Sequence, residues 1–263
     1  MTLFFVMPLG VVLVYSFWRT ENYMIVSDFN VGNYWRAVTG SMYYSVGLRT
    51  LKISLLTTFI SLIVAYPVAY FLARKVRRFR ITLLMLVIMP LWTSYLVRTF
   101  AWVLILGRNG VLNQGLVGSG MVDAPLEWML YSEFAVIVAL VHIYMPFMIL
   151  PIYAVLERFD DKLLEAAHDL GAGRIRAFLT ITLPISLPGI VAGCIFVFVP
   201  AMGAYVTPEL LGGTSGVMLG NIIAKQFGGT FEYPFGSALT MLMVCVVAAL
   251  VSIGFRYNKI GSR

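Results

Sequence analysis

The chain has 263 residues, of which 60% are hydrophobic and only 12% are charged, and its net charge is +7 at pH 7. A soluble globular domain carries about a quarter charged residues, so this composition excludes a soluble domain and indicates an integral membrane protein. The position of the positive charges matters more than their sum, and no nucleic-acid partner is expected.

Six apolar segments follow one another along the chain, and most have the roughly 20 residues that a helix needs to cross a bilayer. They span residues 3–18, 50–73, 81–106, 134–156, 187–205 and 235–257. The residue alternation of a membrane β-barrel is absent. The sequence therefore predicts an all-α fold, a polytopic bundle of six transmembrane helices forming one transmembrane domain over residues 1–263, with core spans within 50–257.

Lysine and arginine are distributed unevenly between the two sides that six spans create. Twelve of the 19 basic residues fall on one side, namely Arg74, Lys75, Arg77, Arg78, Arg80, Arg158, Lys162, Arg174, Arg176, Arg256, Lys259 and Arg263. The opposite side carries the acidic residues Glu21, Asp28, Asp123, Glu127, Glu133, Glu209 and Glu232. Because basic loops stay in the cytoplasm, both termini are predicted to be cytoplasmic.

Two of the predicted outward loops carry local signals. Residues 30–38, which include Tyr34 and Trp35, are expected to form an interfacial helix. Residues 107–120 contain five glycines and are expected to be irregular.

A charged stretch, LLEAAHDLGAGRIRAFLTITLPISLPG, interrupts the apolar pattern at residues 163–189. Asp160 or Asp161 can cap a first short helix by accepting hydrogen bonds from its free N–H groups, and Gly171 can end that helix in the left-handed conformation. A second short helix follows, which Pro184 is expected to stop. The stretch exceeds the usual loop of about 4–6 residues, so it is either a solvated linker or a docking element for a soluble partner.

The pattern EAA, three residues, G, nine residues, IxLP occupies residues 165–184 and matches the EAA loop of type I ABC importer permeases at every position. The chain resembles this family over nearly its whole length. It is most similar to the first permease of spermidine/putrescine importers, in the stretches MPLWTSYLVRTFAW, IYMPFMILPIYAVLERFDDKLLEAAHDLGA and LPGIVAGCIFVFVPAMGAYVTPELLGG. Members usually have a basic stretch before the first span, so the first helix, within residues 1–18, is expected to be N-terminally shortened.

This resemblance implies that the EAA loop, defined here as residues 160–184, is a cytoplasmic coupling element that seats on an ATPase. The residues implied in coupling are Glu165, Ala166, Ala167, Asp169, Gly171, Leu183 and Pro184. The partners implied are a second homologous permease, two ATPase subunits that bind ATP and Mg, and an extracytoplasmic binding protein that delivers a small-molecule substrate. The chain has no G-x-x-x-x-G-K-[ST] loop, so the ATPase must be a separate chain.

No catalytic residue, metal site or cofactor is predicted in this chain. Neither His142 nor His168 has a metal-ligand companion at helical spacing. His142 lies in an apolar span and is interpreted as a hydrogen-bonded interior histidine rather than part of a proton relay. The pair Asp160-Asp161 is interpreted as a helix cap rather than an acid–base pair.

Prolines and aromatic residues in the spans predict where a substrate would pass. Pro90 and Pro200 free backbone carbonyls, which is tolerated beside a water-filled path, and aromatic faces attract organic ammonium groups. The candidate lining residues are Trp92, Tyr95, Tyr144 and Tyr205, with Glu209 near the outer mouth. Packing between helices, or a place in the interfacial belt, is the alternative for each aromatic residue.

The sequence therefore predicts a transmembrane permease subunit of an ATP-driven ABC importer in the cell inner membrane, which passes a putrescine- or spermidine-like polyamine to the cytoplasm by alternating access. Ferric iron, thiamine, an opine or another organic cation are alternative ligands within the same class. An ion-driven secondary transporter would need carboxylates at mid-span, and the central thirds of the six spans contain none. A membrane scaffold without transport is the third alternative.

Overall fold

The computed structural model describes residues 2–21, 24–76 and 78–260. Arg77 and Arg263, two of the predicted cytoplasmic cations, lie outside the described residues, as do the side chains of Arg256 and Lys259.

Helices make up most of the described chain, as the sequence predicts. In order they are α1 (Thr2–Ser16), α2 (Gly32–Thr39), α3 (Ser41–Arg74), α4 (Arg80–Ile88), α5 (Tyr95–Leu106), α6 (Val111–Gly118), α7 (Glu133–Glu157), α8 (Lys162–Asp169), α9 (Arg174–Ala177), α10 (Leu183–Met202), α11 (Val206–Leu211), α12 (Leu219–Gly228) and α13 (Tyr233–Ile260). Short 3₁₀ turns lie at Met89–Trp92 and Glu127–Met129, and a π-helical turn at Phe178–Thr182. A hairpin of two three-residue strands, β1 (Arg19–Glu21) and β2 (Met24–Val26), pairs Arg19 with Val26. The all-α fold class is confirmed.

Four helical stretches of the described residues are long and apolar enough to cross a membrane. They are Ser41–Arg74, Glu133–Glu157, Arg174–Met202 and Tyr233–Ser252. A fifth span is obtained if the bent pair Arg80–Trp92 and Tyr95–Gly118 counts as one, and a shorter apolar helix lies at Val6–Ser16. Helices thus occupy most of each of the six predicted spans; four of these helices have the length of a membrane crossing, and the bent pair gives a fifth if it counts as one span.

The predicted third span, 81–106, is not one continuous helix, and that prediction is wrong. Its two arms bend by 91° at a break where Thr93 adopts an extended conformation. The Pro90 carbonyl accepts hydrogen bonds from both the Thr93 N–H (3.2 Å) and the Thr93 hydroxyl (2.7 Å). Because proline also lacks an N–H for the preceding turn, the helical ladder ends here and restarts at Tyr95.

The predicted irregular loop at 107–120 is also wrong, because α6 occupies most of it. The buried side chain of Asn113 donates hydrogen bonds to the carbonyls of Gly107 (3.0 Å) and Leu126 (3.3 Å) and accepts one from the Leu126 N–H (2.8 Å). One amide thereby fixes both ends of a segment whose glycines alone would leave it free. The helix predicted at 30–38 is confirmed as α2.

The chain forms two compact units, which are described separately. The first comprises Met1–Ser54, Thr99–Ala139 and Pro200–Leu250, and the second comprises Leu55–Arg98, Leu140–Val199 and Val251–Arg263. The single permease domain over 1–263, with core spans within 50–257, stays a prediction.

A hydrophobic cluster holds the first unit together. It contains Ala37, Val46, Leu219, Ile222, Phe235 and Leu239. Arg36 of α2 caps this cluster: its guanidinium donates to the Glu232 carboxylate at 2.8 Å and lies 4.2 Å from the centre of the Phe235 ring. Burial lowers the pKa of Arg36, but the hydrogen bond and charge of Glu232 outweigh burial, so the pKa is raised overall.

In the second unit, α10 packs very closely against α7 through two glycines. A Cβ atom added to Gly189 would lie 2.7 Å from the Pro151 carbonyl oxygen, and one added to Gly193 would lie 2.7 Å from the Met148 sulfur. Small residues at helix contacts are typical of membrane proteins, where close backbone approach supplies the van der Waals contact that drives association.

Candidate functional site

The EAA loop leads into α8, whose N-cap residue, Asp161, makes no side-chain capping hydrogen bond. The Asp160 carboxylate accepts a hydrogen bond from the Lys162 N–H at 3.0 Å. Of the two predicted capping residues, Asp160 therefore accepts one N–H of the first turn from the position before the N-cap, while the Asp161 carboxylate pairs with the Arg74 guanidinium.

Gly171 ends α8 in the left-handed conformation, with φ of +81°, as predicted. The Gly171 N–H donates to the His168 carbonyl and the Ala172 N–H donates to the Ala167 carbonyl, both at 2.9 Å. These two bonds form a Schellman motif, which satisfies carbonyls that a helix end leaves unpaired. The His168 ring adds a 2.8 Å contact between Nδ1 and the Ala172 carbonyl oxygen, so the corner between α8 and α9 is closed by three interactions.

The surface of this corner is apolar and uncovered in the chain alone. Leu163, Leu170 and Ile175 are 49%, 89% and 77% exposed, whereas Ala167 is buried. Glu165, Ala166, Asp169 and Gly171 are exposed beside them. Exposed clusters of large apolar side chains rimmed by charges mark protein interaction sites.

Two arginines tie the start of the EAA loop to the ends of the neighbouring helices. Arg74, at the end of α3, donates to the Phe159 carbonyl at 2.9 Å, pairs with Asp161 and lies 4.6 Å from the centre of the Phe159 ring. Arg80, at the start of α4, bonds Glu157 at 2.9 Å and the Ala73 carbonyl at 2.5 Å. The positive charges between α3 and α4 predict the orientation of the chain in the membrane. The pairing of Arg74 with Asp161 and of Arg80 with Glu157, called the arginine clamp below, joins side chains more than 70 residues apart and is not visible in the sequence.

The end of the EAA loop differs from the prediction at Pro184. Pro184 does not stop the second short helix, because α9, the π-helical turn and α10 form one helical stretch, Arg174–Met202. Pro184 is the second residue of α10, and the wide π turn before it accommodates the missing N–H donor without a break. Leu183 and Pro184 therefore lie within a continuous connection from the EAA loop into the span.

Aromatic contacts brace this continuous helix against α3. Phe178 of the π turn makes edge-on ring contacts with Tyr66 and Tyr70, at centroid distances of 5.8 and 6.2 Å. The Tyr66 hydroxyl is also hydrogen-bonded to the Ser186 hydroxyl at 3.0 Å. The loop-to-span connection is thus held at both its π turn and its first full helical turn.

The structure places the five predicted path residues in two groups, one in each unit. In the second unit, the Tyr95 and Tyr144 side chains share a hydrogen bond, and Trp92 is 76% exposed. In the first unit, Tyr205 and Glu209 are exposed and lie one helical turn apart at the start of α11.

One side chain outside the predicted set organises the second group. The Asn221 amide donates to the Tyr205 carbonyl and to the Glu209 carboxylate, both at 2.8 Å. A Cβ atom added to neighbouring Gly220 would lie 2.5 Å from the Ala204 carbonyl oxygen, so α12 starts in close backbone contact with this segment. The sequence analysis marks this region only by the stretch PAMGAYVTPELLGG, which ends before Asn221, so it does not predict the role of Asn221.

Apolar spanning helices and an exposed, clamped EAA loop that continues into a span define the membrane permease subunit of an ABC importer. The family described as binding-protein-dependent transport system inner membrane component matches residues 62–261. The chain belongs to this family, that of the type I ABC importer permeases, and is a multi-pass protein of the inner membrane.

Several curated relatives cover most of the chain. It is 35% identical over 261 residues to the spermidine/putrescine transport system permease protein PotB of Escherichia coli (strain K12), covering 99% of this chain and 94% of that one. It is 39% identical over 222 residues to PotB of Haemophilus influenzae, covering 84% and 77%. The inner membrane ABC transporter permease protein YdcU of Escherichia coli is 32% identical over 224 residues, covering 81% and 71%.

Two solved structures share the fold. A bacterial alginate ABC transporter in complex with an alginate pentasaccharide-bound periplasmic protein matches with a TM-score of 0.74 at 17% identity, covering 98% of this chain and 91% of that one. The MetNI methionine ABC transporter matches with a TM-score of 0.63 at 19% identity, covering 88% and 98%. At these identities the likeness concerns the fold alone.

Proposed function

We propose that the chain is the permease subunit of an ATP-driven importer that passes a polyamine of the putrescine/spermidine class into the cytoplasm. The observation that carries the transport role is the EAA loop, which presents an exposed apolar corner and continues without interruption into a membrane span. Identity of 35% over 261 residues to a spermidine/putrescine permease supports the ligand class.

The partner on the EAA loop is a cytoplasmic ATPase, present in two copies, that binds ATP and Mg. Leu163, Leu170 and Ile175 supply the apolar contact with the ATPase, and Glu165 and Asp169 supply charges at its rim. This chain takes no part in hydrolysis. Its role is to receive a displacement from the ATPase.

The clamped corner carries that displacement into the membrane. When ATP closes the two ATPase subunits, α8 moves with the cleft in which it is seated. The Schellman motif at Gly171 keeps α8 and α9 at a fixed angle, and the helix Arg174–Met202 is continuous, so movement of α8 is passed to the span. Arg74 and Arg80 pass the same movement to α3, α4 and α7.

The ligand enters from an extracytoplasmic binding protein and passes between this chain and a second, homologous permease. Glu209 is an exposed carboxylate held by Asn221, and carboxylates and aromatic faces both attract ammonium groups. Tyr205 beside Glu209, and Trp92, Tyr95 and Tyr144 in the other unit, are the aromatic residues proposed to line the path.

The orientation follows from the charged loops. Arg74, Lys75, Arg78 and Arg80 lie together between α3 and α4, and Arg158, Lys162, Arg174 and Arg176 lie in the EAA loop region. Basic loops are retained in the cytoplasm. With this side inward, both termini of the chain are cytoplasmic and Glu209 lies on the outer side.

The test is co-expression with the products of the neighbouring genes, purification by a tag on this chain, and reconstitution into liposomes. ATP hydrolysis is then measured with the binding protein and one candidate ligand at a time: putrescine, spermidine, ferric iron, thiamine or an opine. Stimulation by the polyamines alone is the expected result. Stimulation by another ligand overturns the polyamine assignment but keeps the importer, whereas absence of any co-purified ATPase overturns the importer.

A further inference from the structure

An apolar groove lies between α3 and α4, within the second unit. Its volume is about 490 Å³, and its lining residues are Pro67, Val68, Phe71, Leu72, Leu83, Leu86 and Val87. All seven side chains are apolar, and the volume falls in the range of roughly 300–1,000 Å³ that is typical of small-molecule sites. Helix α3 is long and apolar enough to cross the membrane, and α4 is one arm of the bent pair that gives a fifth span if it counts as one. We therefore take lipid hydrocarbon as the material that fills the groove.

The connection between these two helices carries several cations, and those that the structure describes divide into two kinds. Arg74 and Arg80 are engaged within the chain, through Asp161 and Glu157. Lys75 and Arg78 are exposed, and neither joins an ion pair among the residues that the structure describes. The Arg78 guanidinium lies 5.8 Å from the centre of the Phe79 ring, a contact that leaves its donors available.

The two unpaired cations stand at one end of the groove. The Lys75 N–H donates to the Phe71 carbonyl at 2.9 Å, so Lys75 continues the helical turn that begins at a groove residue and lies about 6 Å further along the axis. Arg78 lies two residues before the start of α4, on which Leu83 is the first groove residue. An apolar slot inside the membrane thus ends in two positive charges at its surface.

We propose that this groove binds an anionic phospholipid, with an acyl chain in the groove and the phosphate held by Lys75 and Arg78. A molecule that joins a hydrocarbon chain to an anionic group matches both halves of the site, and membrane lipids with a net negative head group have this form. A choline head group would place a cation beside Lys75 and Arg78 and would bind less tightly. In the proposed orientation the lipid belongs to the cytoplasmic leaflet, where basic residues next to spans meet anionic lipids.

The position of the site gives it a consequence for coupling. Arg74 and Arg80, which clamp the start of the EAA loop, flank Lys75 and Arg78 in the same loop. The negative charge of a lipid phosphate bound by Lys75 and Arg78 offsets part of the positive charge that otherwise repels Arg74 and Arg80. The bound lipid therefore stabilises the α3–α4 turn in the conformation that holds the EAA loop.

The site is tested by native mass spectrometry of the full chain purified in detergent and titrated with phosphatidylglycerol or phosphatidylcholine of identical acyl chains. The wild type is expected to retain phosphatidylglycerol in preference to phosphatidylcholine. The double variant Lys75→Gln/Arg78→Gln removes two positive charges that attract the lipid phosphate. It should therefore bind phosphatidylglycerol roughly 30-fold more weakly than the wild type. Arg158→Gln/Lys162→Gln removes the same charge from another exposed segment and should bind it like the wild type.

A second pair of variants tests the groove itself. Val87→Trp fills the groove while leaving Lys75 and Arg78 in place, and Leu104→Trp adds the same side chain at a position that is 74% exposed in α5. Val87→Trp should lose phosphatidylglycerol binding and Leu104→Trp should keep it. Equal binding of the two lipids by the wild type, or wild-type binding by either the double charge variant or Val87→Trp, overturns the proposal. The measurement needs neither ATPase nor polyamine, so its failure is separate from failure of the proposed function.

Discussion

The Asn221 side-chain amide holds the Glu209 carboxylate through a hydrogen bond of 2.8 Å. The same amide nitrogen donates to the Tyr205 carbonyl, and the amide oxygen accepts from the Met218 N–H at 3.1 Å. Asn221 is buried, whereas Glu209 is exposed. A buried residue of α12 therefore fixes the position of a carboxylate that remains accessible to ligand.

Replacement of Asn221 by alanine is expected to destabilise the first unit. It leaves the Met218 N–H and the Tyr205 carbonyl without this partner, and a buried polar group left unpaired costs about 1–3 kcal/mol. We expect the free energy of unfolding to fall by about 2–3 kcal/mol, measured as a lower thermal midpoint in detergent. Asn109→Ala, at an exposed amide, is the control, and equal midpoints for the two variants would contradict the structural role of Asn221.

Replacement of Glu209 by glutamine removes the negative charge of this side chain but keeps its hydrogen bond with Asn221. The glutamine oxygen still accepts the Asn221 hydrogen bond, so the thermal midpoint should not change. Loss of one charge near a bound ammonium removes about 1 kcal/mol, and KM for putrescine uptake into proteoliposomes should rise about fivefold. Glu127→Gln removes the charge of another exposed carboxylate of the first unit, in the turn Glu127–Met129, and should leave KM unchanged. The same KM in both variants would remove Glu209 from the path.

The amino-acid sequence predicts the helices and the Gly171 turn because both depend on local residues. Apolar runs of about 20 residues define spans, and a glycine directly after the C-cap residue of a helix defines a left-handed helix end. The hydrogen bond from Asn221 to Glu209 depends on tertiary contact between α11 and α12. The ion pair between Arg74 and Asp161 joins residues far apart in the chain. Patterns of neighbouring residues do not contain such pairings.

The prolines also show that a local sequence pattern does not determine the structure by itself. The sequence predicts that Pro184 stops a helix and that Pro90 is tolerated within a span, yet Pro184 lies inside a continuous helix while the helix beside Pro90 breaks. The difference lies in the surroundings of each residue. A π turn precedes Pro184 and absorbs its missing donor, whereas Thr93 competes for the Pro90 carbonyl with both its N–H and its hydroxyl.

Replacement of Gly171 by alanine is expected to uncouple the proposed ATPase. An added Cβ meets no atom within 4 Å, but φ is +81°, where a residue with a side chain is strained; the cost is about 1–2 kcal/mol. We expect lower ligand-stimulated ATP hydrolysis with unchanged membrane insertion. Gly173→Ala is a matched control because its φ is −66° and its surroundings are equally open. Equal loss of stimulation in both variants would show that the left-handed turn is not required.

The arginine clamp predicts a second way to weaken coupling. Arg74→Ala removes the hydrogen bond to the Phe159 carbonyl and the pairing with Asp161, leaving the start of the EAA loop without its link to α3. ATP hydrolysis in the reconstituted complex should continue but no longer respond to the loaded binding protein. Arg158→Ala removes an exposed charge just before the EAA loop, and its ATP hydrolysis should still respond to the loaded binding protein. A full response in Arg74→Ala would contradict transmission through this clamp.

Close packing of α10 on α7 makes Gly189 intolerant of even one methyl group. In Gly189→Ala the new Cβ would lie 2.7 Å from the Pro151 carbonyl oxygen and 3.0 Å from the Ile152 Cα, so backbone must move, and overpacking of this kind costs about 1–3 kcal/mol. The thermal midpoint in detergent should fall. Gly47→Ala, in α3, adds the same methyl where no atom lies within 4 Å, and because alanine favours helix by up to about 1 kcal/mol over glycine, its midpoint should stay equal or rise. A fall of equal size in both variants would mean that helix contact at Gly189 is not the cause.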